Sequence, residues 1–145
     1  MLRARFALAL TLTLFGGGAL QAQSSPADAA AIVATARNYI DGFATGDSAR
    51  MRSALHPDLA KRLITGQAGS PQNQTADRLT QITGMRNGRG SVAGAQVAAD
   101  SIKILDQYKD MAMVRIGADG WVDYLHVGRF DGQWKIINVA WQQRR

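Results

Sequence analysis

The spacing of apolar residues predicts that the first part of the chain is helical. Ser25 and Pro26 look like a helix start, with a hydroxyl that can cap free amides and a proline at the first helical position. Apolar side chains then recur at steps of one, three and four residues, at Ile32, Val33, Ala36, Tyr39, Ile40 and Phe43. This pattern predicts one long helix that ends at Gly46.

A second, shorter helix is expected directly afterwards. Asp47 can cap it, and its apolar residues are Met51, Ala54 and Leu55. The pair His56-Pro57 interrupts it, because proline disfavours helical geometry in the residue before it. A brief apolar segment, 59–64, follows without a clear type.

The polar stretch at 65–74 contains glycine and proline, which predicts a flexible loop that can act as a lid. Leu79, Ile82 and Met85 then return at helical spacing. They predict a third helix, which Asn87-Gly88 closes.

From residue 98 onward the hydrophobic pattern changes to a period of two, which is typical of strands. Strands are expected around Ile102 and Ile104 and over 111–116, 121–130 and 134–141. Asp119-Gly120 and Asp131-Gly132 are turn pairs that tolerate positive φ, so each predicts a tight antiparallel hairpin. Helices followed by such a meander predict an α+β fold.

Two-residue turns also predict which residues face each other across the sheet. Ile116 should face Asp123, Val127 should face Ile136, and two further pairs should be Leu125 with Asn138 and Asp123 with Ala140. One face of the sheet is then almost entirely apolar and should form the core: Ala112, Val114, Ile116, Trp121, Leu125, Val127, Trp134, Ile136 and Ala140. Asp123 and Asn138 are the polar residues expected within it.

The opposite face of the predicted sheet is too apolar to be left in water. It carries Val122, Tyr124, Phe130, Ile137, Val139 and Trp141, interrupted by Arg115, His126 and Lys135. Self-association about a two-fold axis is the commonest way to cover such a patch. We therefore expect a homodimer through this face, with Tyr124, Ile137, Val139 and Trp141 in the contact.

The N-terminus has the pattern of a cleaved signal peptide. Two arginines precede an apolar run, three glycines interrupt that run, and Ala22 is a small residue where a peptidase can cut. The run is too short for the roughly 20 apolar residues of a membrane span. We expect residues 1–22 to be removed, no stable membrane anchor, and one domain over 23–145 in the periplasm or outside the cell.

Composition excludes several classes of function. The formal net charge is +6, but the arginines are spread singly, which argues against a nucleic-acid surface. Because the chain has no cysteine, disulfides, thiol nucleophiles and thiolate metal sites are excluded. The two histidines have no metal-ligand spacing, and no nucleotide fingerprint or serine-hydrolase elbow is present, so no metal or cofactor is expected.

Asp123 is the leading candidate for chemistry, since a carboxylate on the apolar face of a strand must find hydrogen bonds or change its pKa. It can equally be structural, bonded to a helix backbone or a tyrosine hydroxyl, and we favour that role. Tyr39 could direct its hydroxyl into a pocket or simply pack in the core. His56 could act as a base, although a histidine before proline more often bonds locally.

Several segments together resemble the nuclear transport factor 2-like superfamily, and within it the branch described as putative lumazine-binding. These are Tyr39-Ile-Asp-Gly-Phe-Ala-Thr-Gly-Asp47, Leu55-His-Pro-Asp58, Trp121-Val-Asp-Tyr-Leu125 and Asp131-Gly-Gln-Trp-Lys-Ile-Ile-Asn-Val139. The resemblance covers roughly residues 27–142. It implies a cone-shaped fold in which a curved antiparallel sheet wraps around the long first helix, with a pocket at the open end and a dimer as the usual state.

We expect the pocket between the first helix and the core face of the sheet. Its lining should be Tyr39, Phe43, Trp121, Asp123, Leu125, Trp134 and Asn138, which suits a small, apolar or aromatic molecule with one or two polar groups.

Two functions fit this expectation, and the fold does not choose between them. The first is ligand binding or an accessory role without catalysis. The second is a cofactor-free isomerase or dehydratase that works by proton transfer, since some steroid isomerases of this fold combine an aspartate base with tyrosine and aspartic acid donors. By position, Tyr39 and Asp123 could match two of those groups. A weaker third hypothesis is a protein-binding adaptor that uses the sheet face.

Overall fold

The computed structural model describes residues 25–66, 73–86, 101–118 and 120–144. Within these ranges the helices are α1 (Pro26–Thr45), α2 (Ser48–Ala54) and α3 (Ala76–Arg86). The strands are β1 (Leu55–Leu63), β2 (Asn73–Gln74), β3 (Ile102–Tyr108), β4 (Met111–Ala118), β5 (Trp121–Phe130) and β6 (Gln133–Gln143). The α+β class is thus confirmed. The expected signal peptide, the Asn87-Gly88 helix end and residues 67–72 of the expected loop lie outside the described residues.

The ends of the first two helices follow from their capping residues. The Ser25 hydroxyl accepts a hydrogen bond from the amide of Asp28 at 3.0 Å. Gly46 ends α1 in the left-handed conformation, with φ of 76°, which glycine adopts without steric cost. Asp47 then accepts from the amide of Arg50 at 2.9 Å and begins α2. Both boundaries were predicted correctly.

The described strands form one sheet in the order β2-β1-β6-β5-β4-β3. The sheet was expected to be antiparallel, but it is mixed, because β1 runs parallel to β6. The segment at 59–64, for which no type was predicted, belongs to this strand except for its last residue. Its pairing with β6 shifts between Leu55 and Ala60, a stretch that contains Pro57, which has no amide hydrogen to donate to a neighbouring strand.

The hairpin between β4 and β5 has the predicted register, with Ile116 opposite Asp123. Between β5 and β6 the prediction is correct only near the turn, where Val127 faces Ile136. Further along, Leu125 faces Val139 instead of Asn138, and Asp123 faces Trp141 instead of Ala140. The reason is a β-bulge next to Val127: Ile137 has no partner on β5, which shifts the pairing by one residue.

This shift exchanges the faces on which the last residues of β6 lie. Val139, expected in the dimer contact, is instead 1% exposed in the core, and Trp141 packs against that core. Asn138 and Ala140, expected on the core face, lie on the opposite face, which we call the outer face. Tyr124 and Ile137 lie on the outer face as predicted.

Helix α1 packs on the core face of the sheet and contacts β3, β4 and β6. Ile32, Ala36 and Ile40 on α1 are almost completely buried, as the predicted apolar stripe requires. The sheet side of this core includes Val114, Ile116, Leu125, Val127, Ile136 and Val139. Each large aliphatic side chain buried here contributes about 1.5–3 kcal/mol to the free energy of unfolding.

Candidate functional site

A pocket of about 320 Å³ opens between α1, α3 and the strands β1, β5 and β6. Its walls are mainly apolar: Ile40, Phe43, Leu79, Ile82, Trp121 and Trp141. The polar lining residues are Tyr39, Lys61, Gln74, Asp123 and Gln143. A mostly apolar cavity with a few convergent polar groups is the usual form of a small-molecule site.

Three of the polar lining residues form a buried hydrogen-bonded chain. The ammonium group of Lys61 donates to the hydroxyl of Tyr39 at 2.6 Å. That hydroxyl donates in turn to Oδ2 of Asp123 at 3.0 Å. Asp123 is 0%, Tyr39 2% and Lys61 9% exposed, so the chain is shielded from bulk water.

One carboxylate oxygen of this hydrogen-bonded chain has no partner of its own among the described residues. Oδ1 of Asp123 is buried and makes no hydrogen bond of normal geometry within the part of the chain that the structure describes. An unsatisfied buried acceptor costs about 1–3 kcal/mol. A ligand with a hydrogen-bond donor would remove that cost.

Burial shifts the pKa of every member of the chain. It raises the pKa of Asp123, while the positive charge of Lys61 and the side chains of Tyr39 and Trp121 act in the opposite direction. It lowers the pKa of Lys61, opposed by the negative charge of Asp123. For Tyr39, burial, the charge of Asp123 and the hydrogen bond to it all raise the pKa well above its usual value. Groups with such shifts in a cleft are candidates for a functional site.

Two aromatic rings lie near the amine of Lys61. Its nitrogen lies 5.0 Å from the ring centre of Trp141 and 5.3 Å from that of Tyr39. At such distances a cation is attracted by the π-electrons of the ring. The two rings thus attract a positive charge on the lysine, but burial is the larger effect and lowers its pKa.

The structure brings four of the seven predicted lining residues to this pocket: Tyr39, Phe43, Trp121 and Asp123. The other three are not among its lining residues. Leu125 is completely buried in the core. Trp134 stacks under the guanidinium of Arg129, 4.8 Å away. Asn138 lies on the outer face because of the bulge in β6, where its side-chain oxygen accepts from Arg62 at 3.1 Å.

His56, the candidate base, is not among the residues that line the pocket. Its ring packs on Phe130 with 4.2 Å between centroids, and Nδ1 accepts from the amide of Asp58 at 3.1 Å. These contacts are the local bonding expected of a histidine before proline. They leave it no part in the buried chain.

Lys61 and Trp141 are among the lining residues that sequence reasoning missed. For Lys61 a signal was present, because Leu59, Lys61 and Leu63 alternate with the period of a strand. Leu59 is buried and Leu63 partly buried, so the lysine between them has to point inward as well. Trp141 was missed because its face depends on the bulge.

The described residues contain no cluster of three histidine or acidic side chains that could hold a metal ion. Within the same part of the chain, no helix combines the length and the apolar character that crossing a membrane requires.

The architecture and the pocket define the class of protein: an α+β domain with the nuclear transport factor 2-like fold. Residues 27–142 match the family described as "Putative lumazine-binding", and the chain belongs to that family. A comparison with curated proteins found no match.

Solved structures agree with this class at low sequence identity. An NTF2-like protein of unknown function from Methylobacillus flagellatus is 20% identical with a TM-score of 0.67, over 85% of this chain and 97% of the other. One from Shewanella baltica is 17% identical with a TM-score of 0.64, over 82% and 95%. A ketosteroid isomerase-like protein from Erwinia carotovora atroseptica is 14% identical with a TM-score of 0.52, over 80% and 95%. These similarities establish the fold alone.

Proposed function

We propose that this protein binds a small, flat, largely apolar molecule with one or two polar groups in the pocket of about 320 Å³. The observation that carries the proposal is the buried chain of Lys61, Tyr39 and Asp123 at the polar end of an otherwise apolar cavity. Binding pockets range from about 300 to 1,000 Å³, so this one suits a ligand of one or two rings.

The polar end constrains which groups the ligand carries. Lys61 gives one N–H group to Tyr39, and the other donors of an ammonium can bind a ligand acceptor such as a carbonyl oxygen. Oδ1 of Asp123 can accept from a ligand N–H or O–H. A flat heteroaromatic dione such as lumazine offers an acceptor next to a donor, which agrees with the description of the family.

The direct test is binding of lumazine, measured by native mass spectrometry and by thermal shift, followed by a metabolite screen with the same readouts. At a ligand concentration of 100 times Kd, binding to the folded state alone adds about 2.7 kcal/mol of stability. Ile82→Trp should fill the pocket and abolish the shift for any ligand found there. Met85→Trp on the same helix is the matched control, because Met85 is 73% exposed and does not line the pocket. A ligand whose shift survives Ile82→Trp would contradict the proposal.

A cofactor-free isomerase or dehydratase is the second candidate, and a specific observation favours it. Asp123 is a buried carboxyl group with a raised pKa that lines the pocket, and its Oδ1 makes no hydrogen bond of normal geometry among the described residues. The ketosteroid isomerase-like structure shares the fold at 14% identity. If Asp123 is catalytic, Asp123→Asn should abolish turnover of the ligand while the melting temperature hardly changes. We favour the structural role, in which the same change lowers stability.

We further propose that the chain is exported and acts as a homodimer. The basic, apolar and small-residue pattern of residues 1–22 supports export to the periplasm or beyond. Exposed apolar side chains on the outer face support the dimer: Tyr124 is 47% and Met113 42% exposed. Ile137 belongs to the same face. Val139 and Trp141 lie on the core face, so they are not part of the proposed dimer contact.

A further inference from the structure

We infer that Lys61 is a nucleophile that forms an imine with a carbonyl group of a molecule held in the pocket. The inference rests on the pocket proposed above and adds a class of ligand to it, namely small aldehydes and ketones with an apolar, flat body.

The first argument is the position of the amine. Lys61 lies on β1 opposite Val139, so its side chain points to the core face and lines the pocket. Its nitrogen is hydrogen-bonded to a neutral phenol, the hydroxyl of Tyr39. Among the described residues no carboxylate lies within 4.0 Å of it; Asp123 is reached only through Tyr39. Buried lysines normally have a direct counter-charge, and this one lacks it.

The second argument concerns the protonation state that nucleophilic attack requires. Only a neutral amine has the lone pair that attacks a carbonyl carbon, and burial lowers the pKa of Lys61. The titratable groups that face it, Tyr39 and Asp123, belong to the same buried chain. The negative charge of Asp123 raises the lysine pKa again, but burial is the larger effect.

The third argument is that the neighbours of Lys61 can handle the protons of the reaction. The amine adds to the carbonyl carbon, a C–N bond forms, and one amine proton passes to the former carbonyl oxygen to give a carbinolamine. The C–O bond then breaks as the leaving hydroxyl takes up a second proton and departs as water. Tyr39 is placed to give this proton, and its oxygen then takes up the last proton of the iminium, which regenerates the phenol that donates to Asp123 at 3.0 Å. The overall change is amine plus carbonyl to imine plus water, with no oxidant or reductant.

The environment also suits the charge of the intermediate. Loss of the hydroxyl group leaves a cationic iminium before its last proton is removed. The ring of Trp141, 5.0 Å from the lysine nitrogen, and the carboxylate of Asp123 stabilise a positive charge at this position.

The experiment is reductive trapping of the full protein with benzaldehyde and sodium cyanoborohydride, followed by peptide mapping. The chain has four lysines, Lys61, Lys103, Lys109 and Lys135, which makes the assignment of label simple. Lys103 and Lys109 are exposed and serve as internal references in the same sample. At short reaction times we expect Lys61 to carry most of the benzyl label, and Lys61→Arg to lose that label while Lys103 keeps its own.

Tyr39→Phe tests the role of the phenol, and trapping at Lys61 should slow down in it relative to trapping at Lys103 in the same sample. Benzyl alcohol has no carbonyl group, so its thermal shift measures occupation of the pocket alone. If benzyl alcohol binds and Lys61 is labelled no faster than Lys103, the imine inference is overturned and the pocket proposal stands. If neither lumazine, benzyl alcohol nor benzaldehyde shifts the melting temperature and Lys61 is not labelled preferentially, both are overturned.

Discussion

Asp123→Asn is the change that tests the buried chain most directly. Asparagine has nearly the same shape as aspartate, and its side-chain oxygen can still accept from the Tyr39 hydroxyl. The substitution removes the negative charge of Asp123, which attracts the ammonium group of Lys61. The variant therefore measures the charge separately from the packing.

The expected loss follows from two opposing effects. A hydrogen bond to a charged acceptor is worth about 1.5–3 kcal/mol and one to a neutral acceptor about 0.5–1.5, so the bond from Tyr39 weakens. Lys61 also loses its nearest negative charge. Against this, the folded protein no longer has to bury a carboxylate that is 0% exposed. Because burial is the largest influence on the pKa of Asp123, it outweighs the two losses at neutral pH. We expect a net loss below about 1 kcal/mol at pH 7 and of about 1–3 kcal/mol near pH 4, and each kcal/mol lowers the melting temperature of a domain of this size by roughly 4 °C.

The pH dependence gives the sharper criterion. Because the pKa of Asp123 is raised in the folded state, the folded protein binds this proton more tightly than the unfolded chain. The resulting stability is fully present below the ordinary value of 3.8 and is lost as the pH rises through the raised pKa. Asparagine cannot titrate, so the destabilisation caused by Asp123→Asn should grow as the pH is lowered from 7 towards 4.

Urea unfolding of wild type and variant across this pH range gives the difference directly. Asp131→Asn is the matched control, since Asp131 lies exposed in a turn with φ of 48°, which asparagine tolerates as well. Its effect should stay within about 0.5 kcal/mol. A destabilisation by Asp123→Asn that shrinks towards acid pH is typical of an ordinary salt-bridged carboxylate and would refute the reasoning.

Three further predictions concern other parts of the molecule. Gly42→Ala should lower the free energy of unfolding in urea by about 1–3 kcal/mol, because a Cβ there would lie 2.9 Å from the backbone nitrogen of Met51. A higher free energy of unfolding, as expected at an unhindered helix position, would contradict that contact. Ile137→Asp should convert a dimer into a monomer in sedimentation experiments, with Gln133→Asp as control, and a monomeric wild type at high concentration would exclude the dimer. Intact mass of exported protein should give Gln23 as the first residue, and retention of Met1 would contradict cleavage.

The helices and the hairpin turns could be predicted because their causes are local. A capping hydroxyl at Ser25, a left-handed glycine at Gly46 and the Asp131-Gly132 turn each act on residues within one or two turns of the chain. Short-range patterns capture such causes well. The α+β class then follows from the order of the elements alone.

The amine of the pocket could not be assigned in the same way, because its position depends on contacts distant in sequence. Lys61 faces Val139 across a parallel pair of strands, and nothing near residue 61 specifies β6 as the neighbour. The alternation of Leu59 and Leu63 indicates a strand with Lys61 on their face, but it does not say which strand lies beside it. Here burial was decided by tertiary structure.

The bulge in β6 is a different case, since the sequence contains a signal for it. With a uniform period of two, Ile136 shares its face with the polar Asn138. An extra residue at Ile137 instead places Trp134, Ile136, Val139 and Trp141 on the core side and leaves Lys135, Asn138 and Gln142 on the outer side. Two adjacent isoleucines at the point where the apolar phase changes are therefore evidence for an irregular strand.

The pocket depends on that single irregularity. Without the extra residue, Trp141 would lie on the outer face and Ala140 would face Asp123, so the ring 5.0 Å from the lysine nitrogen would be absent. Since β1 pairs with β6 as well, Lys61 would then face a residue directed away from the core. The bulge thus puts Lys61, Trp141 and Asp123 on one face of three adjacent strands, where α1 supplies the hydroxyl of Tyr39 that joins the amine to the carboxylate.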